Sequence, residues 1–282
     1  MNEIMGHQMP SVALSPEKSG FGPLLFAGKI EEGIENAGRL GFSAVELSLR
    51  DSDFLHREKI THLLKENNLK VSTIATGQSY YKDGFSLCAK QVEKRKRTVQ
   101  RLKGHIRFAS QLGAQVIIGG IRGTFEGTAW RHPVPHKLYQ ATLDSIKESL
   151  EYACKYGVIL TLEPINRYET NFINTVEEAL ELVEKLKAEN FKILLDTFHM
   201  NIDEPNLGEA ILKGEKYLSC IHFADSNRFA PGMGHIDFKE VYCSLKKINY
   251  LGCICAEVLP VPDDLSAMEQ SIHFLTRLLS SN

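Results

Sequence analysis

Short runs of β-branched and apolar residues alternate with longer amphipathic segments from one end of this chain to the other. Strands separated by helical crossovers pair in parallel, so this alternation constrains the fold more than any other feature. The strand runs are SVAL (Ser11 to Leu14), AVELSL (Ala44 to Leu49), KVSTIA (Lys70 to Ala75) and QVIIGG (Gln115 to Gly120). They continue as VILTLE (Val158 to Glu163), KILLD (Lys192 to Asp196), SCIHF (Ser219 to Phe223) and CICAEV (Cys253 to Val258). Between them, IEEGIENAGRLG, IKESLEYACKYG, VEEALELVEKLKAEN and FKEVYCSLKKINYLG repeat apolar residues every three or four positions, the period of one helix face. Gly41, Gly113 and Gly157 stand between helix and strand, where a left-handed C-cap is needed. Thr175 before VEE and Ser266 before AMEQ read as N-caps, each with an acidic residue in the first turn. Eight strands and eight helices in 282 residues give units of about 35 residues, which fits a (β/α)8 TIM barrel. No linker or low-complexity tract interrupts the series, so residues 1–282 are expected to form a single domain.

Charge and composition remove other classes. Lys and Arg total 33 against 35 Asp and Glu, a net charge of −2, and 43% of residues are hydrophobic. A disordered chain would be poorer in apolar residues, and a nucleic-acid binder would usually carry a basic excess. The one basic run, Glu93 to Arg97 (EKRKR), opens a long helix and reads as a solvated outer face. The start MNEIMGHQMPSVALSPEKSG has no basic segment followed by an apolar one, and no run approaches the roughly 18 apolar residues of a membrane span. A cytoplasmic protein with no membrane or nucleic-acid partner is the expectation. Cys88, Cys154, Cys220, Cys243, Cys253 and Cys255 form no CxxC pair and read as reduced core thiols.

Active sites of such barrels lie at the C-terminal ends of the strands, so polar residues that close apolar runs identify the chemistry. Glu163 ends the fifth run, Asp196 the sixth and Glu257 the eighth, while His222 sits in the seventh. Their spacing is close to one repeat each, which puts all four at one height. Three converging carboxylates and an imidazole need a cation between them. Mostly oxygen ligands with one nitrogen favour Mn2+, Mg2+ or Co2+ over structural zinc.

Local motifs surround this set: LEPINRYET (Leu162 to Thr170), DTFHMNIDE (Asp196 to Glu204) and HFADSNRFAPGMGHIDF (His222 to Phe238). On these residues the chain resembles the D-tagatose 3-epimerase and D-psicose 3-epimerase family, xylose isomerase-like sugar isomerase barrels. The match is strong from about Ile159 to Glu257; the first half resembles the family only in its repeat pattern. The resemblance implies Glu163, Asp196, His222 and Glu257 as metal ligands, and Glu169, His199 and Arg228 as sugar-binding groups. It also implies a homo-oligomer, dimer or tetramer.

Epimerisation beside a ketone removes a carbon-bound proton, stabilises the negative charge that follows, and returns a proton to the opposite face. Glu163 and Glu257 sit on different sides of the barrel mouth and are expected to serve as base and acid. His199 and Arg228 are placed to donate to the carbonyl oxygen, and Glu169 to hold a hydroxyl or His199. Arg167 reads equally as a salt bridge fixing the strand end or as a substrate contact. Trp130, in the long loop after the fourth strand, is a candidate sugar-stacking residue.

Asp225 stands where a related Glu is common, and the loops SPEKSGFG and TGQSYYKDG match nothing in the family. Gly119, Gly120 and Arg122 could form a phosphate cradle. The sugar therefore stays open. An aldose-ketose isomerase or a 3-keto-glycoside epimerase would use the same site. An endonuclease IV type repair enzyme shares the barrel, but needs more His ligands and a basic groove. A non-catalytic sugar-binding barrel would have no use for both Glu163 and Glu257.

Overall fold

A computed structural model of the chain describes residues 8–18, 22–54 and 57–280. Eight strands close a barrel in sequence order: β1 Met9–Leu14, β2 Ala44–Ser48, β3 Lys70–Ala75, β4 Gln115–Ile118, β5 Leu160–Leu162, β6 Phe191–Asp196, β7 Leu218–Phe223 and β8 Cys253–Ala256. Every neighbouring pair is parallel, including β8 with β1. Each strand run read from the sequence is a strand, although β4 and β5 stop before the glycines and before Glu163.

The described α-helices number ten rather than eight: α1 Ile30–Leu40, α2 Arg57–Glu66, α3 Gly77–Asp83, α4 Val92–Leu112, α5 His136–Lys155, α6 Val176–Leu186, α7 Thr197–Asp203, α8 Leu207–Gly214, α9 Phe238–Lys247 and α10 Asp264–Ser280. The two additions, α3 and α7, have seven residues each and leave the ends of β3 and β6 directly, too short to register as a helical period.

Strand parity sorts the side chains. Ile193 and Leu195 of β6, Ile221 and Phe223 of β7 and Ile254 of β8 face outward into the main core beneath the helices. Leu194, Cys220, Cys253 and Cys255 occupy the barrel interior. Asp196 and His222 share that inward parity, as does Glu257 just beyond β8. The outward layer is a large stabilising term: trimming one fully buried ring such as Phe223 to Ala costs about 3–5 kcal/mol.

Gly41 (φ 91°) and Gly113 (φ 65°) end α1 and α4 in the left-handed conformation, as the sequence requires. Thr175 caps α6 in a capping box with Glu178. Ser266 is not a cap: it lies inside α10, and Asp263 accepts the Ser266 backbone N–H at 2.9 Å. Both residues are of capping type and stand three positions apart, so the sequence alone offers two starts, and the helix takes the one a turn earlier. The thiol reading holds for four cysteines only, because Cys154 and Cys243 are exposed on helices. Glu93, Lys96 and Arg97 of the basic run are exposed at the start of α4. No described helix is long and apolar enough to cross a membrane. The first seven residues, on which part of the leader reading rests, lie outside the described residues, as do residues 19–21 of the SPEKSGFG loop.

Candidate active site

A cavity of about 740 Å3 opens at the C-terminal ends of the strands, with Glu163, His222 and Glu257 in its wall. The strand register sets the arrangement. Asp196 pairs with His222, and His222 with Cys255, two residues before Glu257. Glu163 follows β5, and Gly119 makes room for it, since a Cβ there would stand 2.3 Å from Glu163 Oε2. One ligand atom from each of Glu163, Asp196, His222 and Glu257 lies within 4.8 Å of the others.

His222 Nδ1 is the nitrogen turned toward the carboxylates, at 3.7 Å from Glu163 Oε1, 3.6 Å from Asp196 Oδ2 and 3.3 Å from Glu257 Oε2. It makes no hydrogen bond although it is buried. A buried nitrogen without a hydrogen-bond partner, facing three carboxylates, has the chemistry of a donor set for a cation. Three oxygens and one imidazole nitrogen fit a hard divalent cation such as Mn2+, Mg2+ or Co2+.

The electrostatics follow from this crowding. Burial raises the Glu163 carboxyl well above the usual range, and the neighbouring Glu257 and Asp196 push the same way. Burial would raise Asp196 as well, but the Arg228 guanidinium and the nearby imidazoles outweigh it and hold the group low. Glu257 is likewise lowered by Arg228 and His222 against the cost of its burial. Glu46 and Glu257 raise His222 in spite of burial. Thus the carboxylates share one strong fixed cation, Arg228, which donates to Asp196 Oδ2 at 2.6 Å and also to Glu257 Oε2.

Arg228 is delivered by the loop after β7. Its own backbone is left-handed (φ 65°), an uncommon state for a side chain of this size. Asp225, fully buried, holds that loop by accepting the N–H groups of Ser226, Gly232 and Ile236 at 2.8–3.1 Å. The guanidinium lies over the Phe198 ring at 4.8 Å, which fixes its plane.

His199 is three residues into α7, a helix capped by Asp196 Oδ1, which accepts the Phe198 N–H at 2.8 Å. Its Nε2 faces the cluster, 3.9 Å from Glu163 Oε1. On its other side Nδ1 is 2.8 Å from Asn166 Nδ2, and the same amide donates to Glu169 Oε1 at 2.9 Å. An amide NH2 only donates, so His199 Nδ1 is the acceptor and Nε2 carries the proton toward the cavity. Burial lowers the imidazole and favours this neutral form. Tyr81 of α3 donates to the second oxygen of Glu169 at 3.0 Å.

Glu163, Asp196, His222, Glu257, Glu169, His199 and Arg228 therefore converge on one cavity. Two other readings do not survive. Trp130 is not in the cavity wall: its Nε1 donates to Asn174 Oδ1 at 2.9 Å, and its ring is covered by Arg131 and Arg167. Arg122 cannot serve a phosphate, because its fully buried guanidinium donates to the backbone oxygens of Glu163 (2.6 Å) and Ile173 (3.2 Å). It holds the exit of β5 instead. Arg167 binds Asp203 at 2.7 Å and the Ile202 carbonyl at 3.0 Å, the structural alternative of the two considered.

Three participants escaped sequence reasoning. Glu46 in β2 is buried and meets His222; the signal was a lone charge inside an apolar strand. Asn166 is a neutral amide inside the LEPINRYET motif and Tyr81 belongs to the TGQSYYKDG segment, and neither carries a sequence signal of its own. A larger open groove of about 1240 Å3 lies elsewhere, around Glu17, Lys59 and Arg97; it holds none of the converging residues and its walls carry both signs of charge.

Residues 34–278 match the family of xylose isomerase-like TIM barrels. The chain is 30% identical over 227 residues to an L-ribulose 3-epimerase of Methylomonas sp. (strain DH-1), covering 79% of this chain and 76% of that protein. It is 29% identical over 230 residues to the 3-dehydro-D-guloside 4-epimerase of Escherichia coli (strain K12), covering 77% and 83%. Among solved structures, a D-allulose 3-epimerase from Methylomonas sp. in complex with D-allulose superposes with a TM-score of 0.81 at 21% identity, covering 96% of this chain and 97% of that one, which shows the shared fold.

Proposed function

Because the chain belongs to the xylose isomerase-like TIM barrels, and among them to the family of D-psicose and D-tagatose 3-epimerases, we propose that it is a divalent-metal-dependent sugar epimerase acting on the carbon beside a ketone. The observation that carries this reading is the unpartnered His222 Nδ1 turned toward Glu163, Asp196 and Glu257.

A divalent cation held by those four residues, Mn2+ by choice of donor set, would polarise the adjacent sugar oxygens and stabilise charge left by proton removal. The rest is done by the protein. Glu163 and Glu257 come from β5 and β8, on either side of the pair formed by β6 and β7, and exchange a proton with opposite faces of the reacting carbon. His199 donates its Nε2–H toward the carbonyl oxygen, and Arg228 adds a fixed positive charge on the same side. Glu169 and Tyr81 set the polar wall that holds the remaining hydroxyls, and Asn166 behind them holds Glu169 in place. The cavity volume falls within the usual range for small-molecule sites, about 300–1,000 Å3.

The chain acts as one domain in this reading, as a homo-oligomer in the cytoplasm; light scattering of the purified protein tests the assembly. The activity is tested by incubating the protein and Mn2+ with ketopentoses, ketohexoses and 3-keto-glycosides in deuterated water. Exchange of the proton beside the carbonyl is expected for at least one sugar class. Bound Mn2+ without exchange on any of them would end the epimerase reading.

A further inference from the structure

Among the described residues, the barrel interior holds a carboxylate, Glu46, that the proposed chemistry does not use. Glu46 is at the middle of β2, fully buried, where interior positions of such barrels are ordinarily filled by branched apolar residues. Its Oε2 is 2.9 Å from His222 Nε2 and accepts the Thr73 hydroxyl at 2.6 Å. Its Oε1 has no partner at all. Strands β2 and β7 are not neighbours, since β8 and β1 lie between them, so this contact crosses the inside of the barrel. Burying a charge there is costly unless its partner returns the energy.

The chemistry of the partner explains the position. A neutral imidazole carries one proton on one of two nitrogens, and a metal needs the bare one. A carboxylate offers lone pairs and no proton, so Glu46 draws the proton to Nε2 and leaves the lone pair on Nδ1, the nitrogen turned toward Glu163, Asp196 and Glu257. Thr73, on the strand next to β2, fixes the carboxylate in turn. The effect is a chain from Thr73 through Glu46 to His222, ending at the place where the cation is held.

We propose that Glu46 is a positioning residue for the metal centre: it selects the ring orientation and the proton-bearing nitrogen of His222, and so sets the affinity of the centre for its cation. This inference rests on the metal-dependent reading above. Groups that hold a metal-ligating imidazole in this way typically change metal affinity by about 10–100-fold when removed.

The test measures Mn2+ dissociation constants from the electron paramagnetic resonance of free Mn2+, with folding checked by circular dichroism, and records the absorption spectrum of the Co2+-loaded protein. Glu46→Leu keeps the volume and removes the acceptor. It is expected to weaken Mn2+ binding about 10–100-fold and to alter the Co2+ spectrum. Glu46→Gln, which retains a neutral acceptor oxygen, is expected to recover part of the loss. A folded Glu46→Leu protein that binds Mn2+ as tightly as the unsubstituted one, with the same Co2+ spectrum, would overturn the proposal. Should Glu46→Leu fail to fold, Glu46→Gln decides: weaker binding supports the proposal and equal binding overturns it. Failure of the unsubstituted protein to bind Mn2+ at all would instead overturn the metal-dependent reading, and this inference with it.

Discussion

Asn166 and His199 meet through a single 2.8 Å contact between the amide nitrogen and Nδ1, and that contact decides which nitrogen of His199 presents a proton to the cavity. Asn166→Ala removes it together with the hydrogen bond to Glu169. Released from its orientation, His199 is expected to lower kcat/KM about 10–100-fold, the usual cost of a small misplacement at a reacting centre. Steady-state kinetics on any sugar that shows exchange would check this; unchanged kinetics would mean that His199 is held by packing alone.

Glu257→Gln keeps the shape of the strand-eight carboxyl and removes its basicity. Proton exchange beside the carbonyl is expected to fall about 10²–10⁴-fold in a chain that circular dichroism shows to be still folded. An exchange rate equal to that of the unsubstituted protein would take Glu257 out of the proton-transfer pair.

Gly119 is a cheap place to disturb the cluster without touching any group in it. The Cβ of Gly119→Ala would stand 2.3 Å from Glu163 Oε2, so the carboxylate has to move. Mn2+ affinity and activity are both expected to drop by about tenfold or more, because position and not identity of Glu163 is changed. Equal Mn2+ affinity, measured by calorimetry, would show that Glu163 is free to shift.

Removal of metal has a thermodynamic signature of its own. A cation that binds only the folded protein stabilises it by about 2.7 kcal/mol at 100 times its dissociation constant. For a chain of this length that corresponds to a melting temperature roughly 5 °C higher with Mn2+ than with a chelator present. Scanning calorimetry in the two conditions reads the difference directly, and coincident transitions would argue against a resident cation.

Acid stability is expected to depend in part on His105, which lies on α4 and is not in the cavity wall. Its ring is fully buried, with Ser79 Oγ 3.2 Å from Nε2, and burial pushes the imidazole down to about 3 from 6.5, with the Arg101 charge acting the same way. The folded value is the lower one, so between pH 6.5 and about 3 only the unfolded chain takes up this proton, and stability is lost as pH falls. The loss approaches about 1.4 kcal/mol per pH unit in that window and vanishes above neutrality. Urea unfolding at several pH values should show a shallower slope for His105→Gln, and identical slopes would refute the assignment.

The parts of this molecule that could be read from sequence are those written in local periodicity. Strand ends closed by Glu163, Asp196 and Glu257 stood out because a charge at the edge of an apolar run must face a solvated mouth or a cation. The helices α3 and α7 did not, since seven residues span barely two turns. Direction was illegible as well. Arg122 beside two glycines looked like an anion cradle, but its side chain turns inward to three backbone carbonyls. Trp130 looked like a stacking platform, yet two arginines cover it. Glu46 was hardest, because its partner is 176 residues away and only closure of the barrel brings the two together.

Asp196 divides its two oxygens between different tasks, one to the first turn of α7 and the other to Arg228. The helix it starts carries His199. In the metal-dependent reading proposed above, a residue that would help hold the cation also aims the group that would meet the sugar, so substitution at this position is expected to disturb both at once. New substrate preferences in such a protein have to be sought in the rim around Tyr81 and Lys82, away from Asp196 and the Arg228 it shares with Glu257.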